Sequence, residues 1–414
     1  MEEVTNGALE ASKTAVTLAI GLIGMMALWL GMMRLAEKAG LVTKLARLVR
    51  PIMTRLFPDV PPEHPAMGSM LMNIAANMLG LANSATPLGL RAMKDLEKLN
   101  PHPGTATNAM CTFLAINTSS IQLLPATVIA ILVSAGSQNP TAIVSTALMA
   151  TICSTLAAIV AVKLLQNLRW FALPASTTAP VQAFSEKAAI PAEEINENSA
   201  APIPVWGMFV LVLFFLSFAW FFLSFTWKFS DQGTTSVVRS GMEALSLLAI
   251  PFLLSFFPLV ASLRKIPVYE EFTEGAKEGF DVAVRIIPFL VAILVAIGMF
   301  RGAGGIEILT KLLAPALSAV GFSPELLPLV IMRPLSGSGT MGIFSELVTT
   351  FGPDSLIART AATIFGSTET TFYVVTVYFG AVAIRRTRHA IAAGLIADLA
   401  GIIASVAICN FMFK

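Results

Sequence analysis

Charged residues and cysteines are scarce in this chain of 414 residues. Asp, Glu, Lys and Arg together make up 13% of the sequence, and the three cysteines are Cys111, Cys153 and Cys409. Because these cysteines are far apart and lie in or beside apolar segments, we expect buried thiols and no disulfide framework or CxxC site. The net charge is only +2 and no continuous basic face is present, so nucleic acid is not an expected partner.

The motifs of soluble enzymes are also missing. No Ser-His-Asp elbow, Walker sequence or GxGxxG motif follows a strand pattern. The three histidines, His64, His102 and His389, do not stand near cysteines or carboxylates at ligand spacing. We therefore expect that the protein is not an enzyme and has no metal site and no cofactor.

Long apolar segments make up most of the chain. Hydrophobic residues account for 56% of the sequence, and the mean hydropathy is +0.77. About eight to ten segments reach the length of roughly 20 residues that a helix needs to cross a bilayer. The start, Met1-Glu2-Glu3, lacks a basic region, which predicts an uncleaved first transmembrane helix. The composition thus predicts an all-α, polytopic membrane protein.

Continuous spans alternate with other helices along the chain. Two amphipathic segments, Leu41 to Met53 and Ile306 to Val320, are typical of helices at the membrane interface, and Pro51 is expected to bend or end the first. The continuous spans are predicted at Thr14 to Met33, Pro140 to Leu165, Val205 to Trp227, Met242 to Ala261, Asp281 to Phe300 and His389 to Phe411.

Four further apolar segments contain a polar joint. Short helical halves on both sides of such a joint indicate a broken or re-entrant helix, because neither half crosses a bilayer alone. The first joint, Ala82 to Ala85, separates Pro65 to Leu81 from Thr86 to Asn100; the second, Asn117 to Ser120, interrupts Thr105 to Val133; the third, Leu335 to Thr340, separates Ser323 to Pro334 from Met341 to Phe351; the fourth, Gly366 to Thr371, interrupts Ser355 to Ala383.

The two halves of the chain resemble each other. Gly31-Met32-Met33-Arg34 recurs as Gly298-Met299-Phe300-Arg301, and Thr43-Lys44-Leu45 recurs at the same offset as Thr310-Lys311-Leu312. Repeats of this kind underlie many transporter folds. Residues 167–204 are rich in Pro, Ala, Ser and Glu without apolar periodicity, which is typical of a solvated linker. We therefore expect a first membrane repeat at residues 1–166, a linker at 167–204 and a second membrane repeat at 205–414.

The distribution of Lys and Arg predicts opposite orientations for the two repeats. Short loops rich in these residues stay in the cytoplasm, which places Arg385, Arg386 and Arg388 inside. The stretch from residue 34 to 98 contains nine Lys or Arg residues, against four in the equivalent stretch from 301 to 359, so the first stretch is also placed inside. If each broken pair returns to its starting side, the chain contains two inverted-topology repeats with broken or re-entrant helices.

Three segments resemble a known family. The stretch NIAANMLGLANSATPLGLRAMKDLEKLNP (Asn73 to Pro101) resembles the signature of spore maturation protein A, whereas IMRPLSGSGTMGIFSELVTTFGPDS (Ile331 to Ser355) and GSTETTFYVVTVYFGAV (Gly366 to Val382) are similar to spore maturation protein B. The resemblance leaves out the linker and Val205 to Ala261. It implies a natural A–B fusion in the group with a nucleoside-recognition, or Gate, domain. That group is similar to membrane parts of concentrative nucleoside transporters and of a ferrous-iron transporter, which implies a transporter-like, multi-pass protein of the bacterial cytoplasmic (inner) membrane.

Glu369 is the first candidate site residue, with Ser367, Thr368 and Thr370 beside it. A charged side chain at the membrane centre is costly unless it faces a cavity or a partner. The helical halves on either side are each about half a bilayer long, so we expect the carboxylate near mid-depth. There it would carry a proton or cation, or accept a hydrogen bond from a substrate; a solvated hairpin tip is the alternative.

The other three joints supply neutral polar groups and one arginine. Amides and hydroxyls suit a nucleobase or a sugar, but contacts between helices, helix capping or a flexible hinge would explain them without a ligand. Arg333 is expected to pair with Glu346 or Glu369, or to bind an anionic ligand. The remaining candidates are Asn73, Asn77, Asn83, Ser84 and Thr86 near the first joint, Asn117, Thr118, Ser119, Ser120 and Gln122 near the second, and Ser336, Ser338 and Thr340 in the third.

These features predict a transporter-like membrane protein that binds and translocates a small polar, nucleoside-like solute at a midplane site by alternating access. The expected partners are that solute, a coupling proton or sodium ion and the lipid bilayer, and a homo-oligomer is left open. The alternative is a non-transporting recognition or assembly protein related to spore maturation, whose Gate-like core binds a ligand or a partner.

Overall fold

The computed structural model describes residues 2–80, 82–119, 122–171, 201–231, 237–303 and 321–413. This part of the chain is almost entirely helical and forms no strand, which confirms the all-α prediction; one isolated bridge joins Thr105 and Arg386. The helices are α1 (Glu2–Lys38), α2 (Leu41–Leu56), α3 (Pro65–Leu79), α4 (Ala82–Glu97), α5 (Asn108–Ser119), α6 (Ala126–Ser134), α7 (Ile143–Leu165), α8 (Val205–Asp231), α9 (Val237–Leu263), α10 (Val268–Gly302), α11 (Leu327–Met332), α12 (Gly337–Phe351), α13 (Leu356–Ser367), α14 (Thr371–Gly380) and α15 (Ala390–Phe413).

Five helical segments in the described residues are long and apolar enough to cross a membrane: Ala15–Lys38, Ile143–Leu165, Val205–Lys228, Val237–Leu263 and Ala390–Phe413. They confirm the prediction of a membrane protein. The predicted span Asp281 to Phe300 lies within the continuous helix α10. The amphipathic segment Ile306 to Val320 and most of the predicted linker lie outside the described residues. The division into two repeats and a linker stays a prediction.

Helices α1 and α10 pack against each other in antiparallel directions. Gly31 of α1 faces Phe272 of α10, and Ala27, four residues earlier in α1, faces Gly279, seven residues later in α10. Residue numbers therefore run in opposite directions along the two helices. The two glycines let the helix backbones approach closely. These helices carry the repeated Gly-Met sequences, and inverted repeats require them to run in opposite directions. The inversion of the complete repeats stays a prediction.

The first and third joints are shorter than expected. Helix α3 ends at Gly80, whose φ of 78° is readily adopted only without a Cβ atom, and Ala82 already begins α4. In the third joint, Ser336 Oγ accepts a hydrogen bond from the N–H of Gly339 at 3.0 Å and caps α12. The polar residues predicted to form these joints therefore begin the next helix, because serine and other small polar residues stabilise a first helical turn.

The fourth joint confirms the predicted break, whereas the break at the second joint lies just after the predicted Asn117 to Ser120, because Asn117 to Ser119 form the last turn of α5. Gln122 to Pro125 are not helical and separate α5 from α6. Thr368 to Thr370 are extended and separate α13 from α14. Both segments that looked long enough to span a bilayer are therefore pairs of short helices.

Helix α2 does not end at Pro51, one of the two predicted outcomes, but continues to Leu56. Proline removes one backbone hydrogen bond from a helix interior. The turn after it is held by tertiary contacts, since Met53 and Phe57 are buried and Lys163 Nζ donates to the carbonyl of Leu56 at 2.9 Å. Packing of this turn outweighs the local preference.

Helix α15 packs its buried face against α5, α7, α13 and α14. Its buried face carries mainly small residues, among them Gly394, Ala397, Gly401 and Ser405, which let neighbouring backbones approach closely. Ser405 Oγ lies 3.2 Å from Ser367 Oγ of α13. A helix of membrane length therefore carries the contacts that position the fourth joint.

The cysteines agree only in part with the expectation of buried thiols. Cys111 and Cys409 are buried, but Cys153 is exposed. Its neighbour Ser154 donates a hydrogen bond to the carbonyl of Ala397 at 2.9 Å and so faces α15. Adjacent helical positions point about 100° apart, which turns Cys153 outward.

Asp354 ties two connecting segments together at one end of the bundle. Its carboxylate accepts hydrogen bonds from Ser137 Oγ at 2.7 Å, the N–H of Gln138 at 2.9 Å and Arg359 Nη2 at 3.4 Å. Burial raises the pKa of the Asp354 carboxyl, but these hydrogen bonds outweigh burial and hold the pKa below its ordinary value. The ionised carboxylate therefore fastens the loop before α13 to the loop before α7.

Candidate functional site

The fourth joint is in direct contact with two others. The N–H of Glu369 donates a hydrogen bond to the carbonyl of Thr118, in the last turn of α5, at 2.8 Å. The N–H of Phe372 donates to the carbonyl of Pro334, directly before the third joint, at 3.0 Å. Backbone groups that the helix breaks leave free are thus paired between joints rather than left unsatisfied.

The first joint reaches the same region through its side chains. Asn77 Nδ2 donates to Asn117 Oδ1 at 2.9 Å, which links α3 to the last turns of α5. Leu123, in the second joint, also donates its N–H to the carbonyl of Met78 at 3.0 Å. The four joints, separated by up to about 290 positions in the sequence, therefore meet in one part of the fold.

The fourth joint lies level with the middle of α15. Thr368 packs against Gly401, the twelfth of the 24 residues of α15. At about 1.5 Å per residue, each half of α15 is roughly 18 Å long, slightly more than half the hydrocarbon thickness of a bilayer. The mid-depth position of this joint in a bilayer stays a prediction.

The side chains of the fourth joint are buried except for that of Glu369. Ser367, Thr368 and Thr370 are buried, whereas the side chain of Glu369 is 43% exposed. Because its neighbours are enclosed, this joint is not a solvated hairpin tip. The carboxylate instead extends from a buried backbone toward an accessible face.

Arg333 is the buried cation of the site, with 3% of its surface exposed. Its Nε donates to Thr368 Oγ1 at 3.1 Å, and its Nη2 donates to the carbonyl of Phe365 at 2.9 Å. The guanidinium also lies 4.6 Å from the centre of the Phe365 ring. The predicted partner Glu369 is present, but at 3.9 Å it is farther away than the two hydrogen-bond acceptors. Binding of an anionic ligand by Arg333 stays a prediction.

A network of neutral groups connects the first and second joints to α14. Asn73 Nδ2 donates to the carbonyl of Ala85 at 2.7 Å and to the Tyr378 hydroxyl at 3.3 Å. The Tyr378 hydroxyl in turn lies 3.4 Å from Asn117 Oδ1, which also accepts from Asn77. Among the described residues, the buried Asn73 Oδ1 has no hydrogen-bond partner. The predicted common face of Asn73 and Asn77 thus looks into the protein and presents a free acceptor there.

Several candidate hydroxyls are used within their own helices. Thr118 Oγ1 donates to the carbonyl of Ala115 at 2.9 Å, and Ser119 Oγ donates to that of Ile116 at 3.0 Å. These bonds fit the capping interpretation, although each oxygen can still accept a hydrogen bond. Thr340 similarly donates to the carbonyl of Ser336 at 2.7 Å. Of the remaining candidates, Ser338 lies beside Ser336, Gln122 lies beside Gly80, Thr86 is half-buried, and the side chains of Asn83, Ser84 and Ser120 lie outside the described residues.

Two residues of this region were not predicted. Asp398 of α15 is 2% exposed, and its Oδ2 accepts a hydrogen bond from Thr371 Oγ1 at 2.6 Å. A lone carboxylate within an apolar span is the same signal that drew attention to Glu369, and it could have identified Asp398. Tyr378 lies in an aromatic and apolar stretch without a comparable signal, so only tertiary contacts reveal its role.

Comparison with known proteins identifies the family. The sequence model of the Gate family, described as nucleoside recognition, matches residues 19–167 and 283–385, more than half of the chain. The chain belongs to the Gate family. The four joints lie within the matched segments, whereas Asp398 lies beyond them.

Two curated relatives come from Bacillus subtilis strain 168. Spore maturation protein B is 46% identical over 169 residues, which are 41% of this chain and 95% of that protein. Spore maturation protein A is 44% identical over 160 residues, which are 39% of this chain and 82% of that protein. This coverage confirms the predicted resemblance and is consistent with a fusion of an A-like and a B-like part. No solved structure matches the chain.

Proposed function

We propose that this Gate-family protein binds a small polar, nucleoside-like solute where the four joints meet, and moves it across the membrane without converting it chemically. The observation that carries the proposal is the convergence of four helix breaks, one of which lies level with the middle of α15. Non-helical backbone is tolerated at membrane depth only where it is buried in protein or lines a cavity, and transporters place their sites at such breaks.

The chemistry of the region suits a neutral solute with several hydrogen-bonding groups. The network of Asn73, Asn77, Asn117 and Tyr378 supplies amide and hydroxyl groups, and Asn73 Oδ1 is a buried acceptor without a partner among the described residues. Such an acceptor would take a hydrogen bond from a sugar hydroxyl or a nucleobase amine. The description of the family as nucleoside recognition supports the same class of solute.

We further propose a multi-pass arrangement in the bacterial cytoplasmic membrane, with the cluster Arg385, Arg386 and Arg388 inside. In this arrangement the two repeats are inverted, and rocking of one against the other opens the site alternately to each side. The antiparallel packing of α1 and α10 supports this proposal. A proton or a sodium ion would couple to the movement of the solute.

A second candidate is a non-transporting recognition or assembly protein. The hydrogen bonds between Glu369 and Thr118 and between Phe372 and Pro334 fasten the joints directly to each other, as a static core would require. The names of the two curated relatives, which refer to spore maturation, also favour a role other than uptake. In this case the Gate core would bind a ligand or a partner without letting it pass.

Uptake by proteoliposomes separates the two candidates. Purified protein is reconstituted and tested with a panel of radiolabelled nucleosides, other small polar metabolites and inorganic ions, and binding to the same panel is measured in detergent. We expect saturable nucleoside uptake that Asn117→Ala reduces at least tenfold, because the substitution removes the group that joins Asn77 to Tyr378. Asn167→Ala is the matched control, since Asn167 is exposed at the end of α7 and should leave uptake unchanged.

Each other outcome has a definite meaning. Binding of a nucleoside without flux would favour the recognition protein. Neither binding nor flux for any member of the panel would contradict a solute site at the joints. Equal uptake by wild type and Asn117→Ala would move the site away from the amide network.

A further inference from the structure

Asp398 is an acidic side chain enclosed in the middle of the bundle. It lies eight residues after Ala390, at the start of α15, and is 2% exposed. Its Oδ2 receives a hydrogen bond from Thr371, but Oδ1 has no partner among the described residues. An ionised carboxylate is strongly disfavoured in such surroundings, because a single hydrogen bond does not offset the loss of hydration.

The elements packed around α15 offer Asp398 mostly neutral groups. Helices α5, α7 and α13 face this region with Thr118, Ser154 and Ser367, and α14 contributes Thr371. The charged groups nearby are Arg333 and Glu369, which are both held at the fourth joint. Among the described residues, the ionisable Tyr378 of α14 lies in the neighbouring amide network. Lys163, Arg388 and His389 lie near the beginning of α15, and Cys409 and Arg359 lie near its end.

The charges of this cluster do not balance. Arg333 contributes one positive charge, whereas Glu369 and Asp398 contribute two negative charges when ionised, which leaves one negative charge in excess. Arg333 cannot neutralise both carboxylates, because its guanidinium is directed at Thr368, at the carbonyl of Phe365 and, at 3.9 Å, at Glu369. Glu369 lies 3.9 Å from Arg333 and is 43% exposed, so the uncompensated charge falls on the buried Asp398.

We propose that Asp398 holds one exchangeable monovalent positive charge, a proton or an alkali cation, and is the coupling site of this protein. A proton on Oδ2 would preserve the short contact with Thr371, because the carboxylic acid can donate to the threonine oxygen. An alkali cation would instead use Oδ1 together with the hydroxyl oxygens of Thr371 and Thr118, both of which lie beside Gly394 on the same face of α15. In either case Glu369, the acidic residue that the sequence emphasises, remains the partner of Arg333.

The coupling role of Asp398 rests on the proposed transport. The binding of a positive charge by Asp398 does not depend on transport and is tested without a solute. The full chain is reconstituted in lipid nanodiscs. Infrared spectroscopy at neutral pH measures the carboxylic acid C=O band, and thermal unfolding is followed against sodium and potassium concentration at constant ionic strength. The variants are Asp398→Asn and, as the matched control, Asp95→Asn.

Asp95 is a suitable control because it is also a buried aspartate, but its charge is already compensated. Lys98 Nζ lies 2.8 Å from its Oδ1, and Ser69 Oγ donates to its Oδ2 at 3.0 Å. If Asp398 carries a proton, the wild type and Asp95→Asn show the carboxylic acid band and Asp398→Asn lacks it. If Asp398 binds a cation, the thermal midpoint of the wild type and of Asp95→Asn rises with one alkali cation, and that of Asp398→Asn does not.

The wild type alone can overturn the proposal. A spectrum without a carboxylic acid band, together with a thermal midpoint independent of both cations, would show that Asp398 holds no positive charge. If Asp398→Asn does not fold, Thr371→Val replaces it, since loss of the hydroxyl must shift the band or weaken the cation dependence. An unchanged band and cation dependence in that variant would also overturn the proposal. A charge signal without solute uptake would refute the proposed transport and leave the charge site standing.

Discussion

A methyl group added at Gly401 tests the packing that holds the fourth joint against α15. The Cβ of Gly401→Ala would lie 2.7 Å from Thr368 Cγ2 and 3.2 Å from Ser154 Cβ, which are contributed by two different elements. Carbon atoms pack at about 3.5 to 4.0 Å, so the joint has to retreat by about 1 Å. Such overpacking costs about 1–3 kcal/mol, and alanine regains about 1 kcal/mol of helix propensity. We expect a net loss of about 1–2 kcal/mol.

The loss of stability is larger if the movement of Thr368 breaks its hydrogen bond with Arg333. Thr368 Oγ1 accepts the hydrogen bond from Arg333 Nε at 3.1 Å, and this buried cation has few other acceptors among the described residues. A hydrogen bond to a charged group contributes about 1.5–3 kcal/mol to stability. A measured loss well above 2 kcal/mol would therefore indicate that the contact with Arg333 is broken as well.

Unfolding by sodium dodecyl sulfate in mixed micelles measures the free energy of each variant. Gly24→Ala in α1 is the control, because its Cβ meets nothing within 4 Å and should leave stability unchanged or raise it by about 1 kcal/mol. In the double variant with Thr368→Ser, the Thr368 methyl group that clashes with the new Cβ is removed, and the hydroxyl that accepts from Arg333 is kept. The double variant should recover most of the loss, with a coupling energy above about 0.5 kcal/mol. Gly401→Ala as stable as Gly24→Ala, or strict additivity in the double variant, would refute the packing argument.

Two further substitutions test the electrostatic contacts. Arg333→Lys should destabilise the protein by about 1.5–3 kcal/mol, because an ammonium group cannot reach both acceptors of the guanidinium fork; Arg47→Lys on the exposed side of α2 is the control, and equal stability of the two variants would contradict this role. Asp354→Asn should lower the thermal midpoint at neutral pH. Since the folded-state pKa of Asp354 is depressed, its contribution is fully present above the unfolded pKa of about 3.9 and disappears as the pH falls through the folded value. The midpoints of wild type and Asp354→Asn should therefore converge in acid, and a difference that grows below pH 4 would show the wrong sign.

The polar joints show how far local sequence determines this fold. Polar residues within membrane-length segments predicted the break at Thr368 to Thr370, because a run of hydroxyl groups and a carboxylate does not continue a lipid-facing helix. The break predicted at Asn117 to Ser120 lies a few residues later, at Gln122 to Pro125. The exact joints were less predictable. Ser336 and the residues from Ala82 onward begin helices, since the choice between a flexible joint and a capped first turn depends on which backbone groups find partners.

The candidate site shows the same limit. The sequence identified Asn73, Asn77, Asn117 and Arg333 from residue type and helical spacing, and the structure brings them together. It did not identify Tyr378, which joins two of these asparagines although it is 261 and 305 positions away from them. Contacts over such separations are set by the packing of α14 against α4 and α5, which no local pattern encodes.

Composition and periodicity by themselves determined that this chain is an all-α membrane protein with broken helices, because the length of an apolar segment and the cost of a polar group in lipid are local properties. The tertiary structure decided which breaks meet and which carboxylate is enclosed. Glu369, the conspicuous acidic residue of the joints, extends toward an accessible face, whereas Asp398 lies buried between helices with one oxygen unpaired in the described structure. The burial of an acidic group depends on the elements packed around it, and that arrangement exists only in the folded protein.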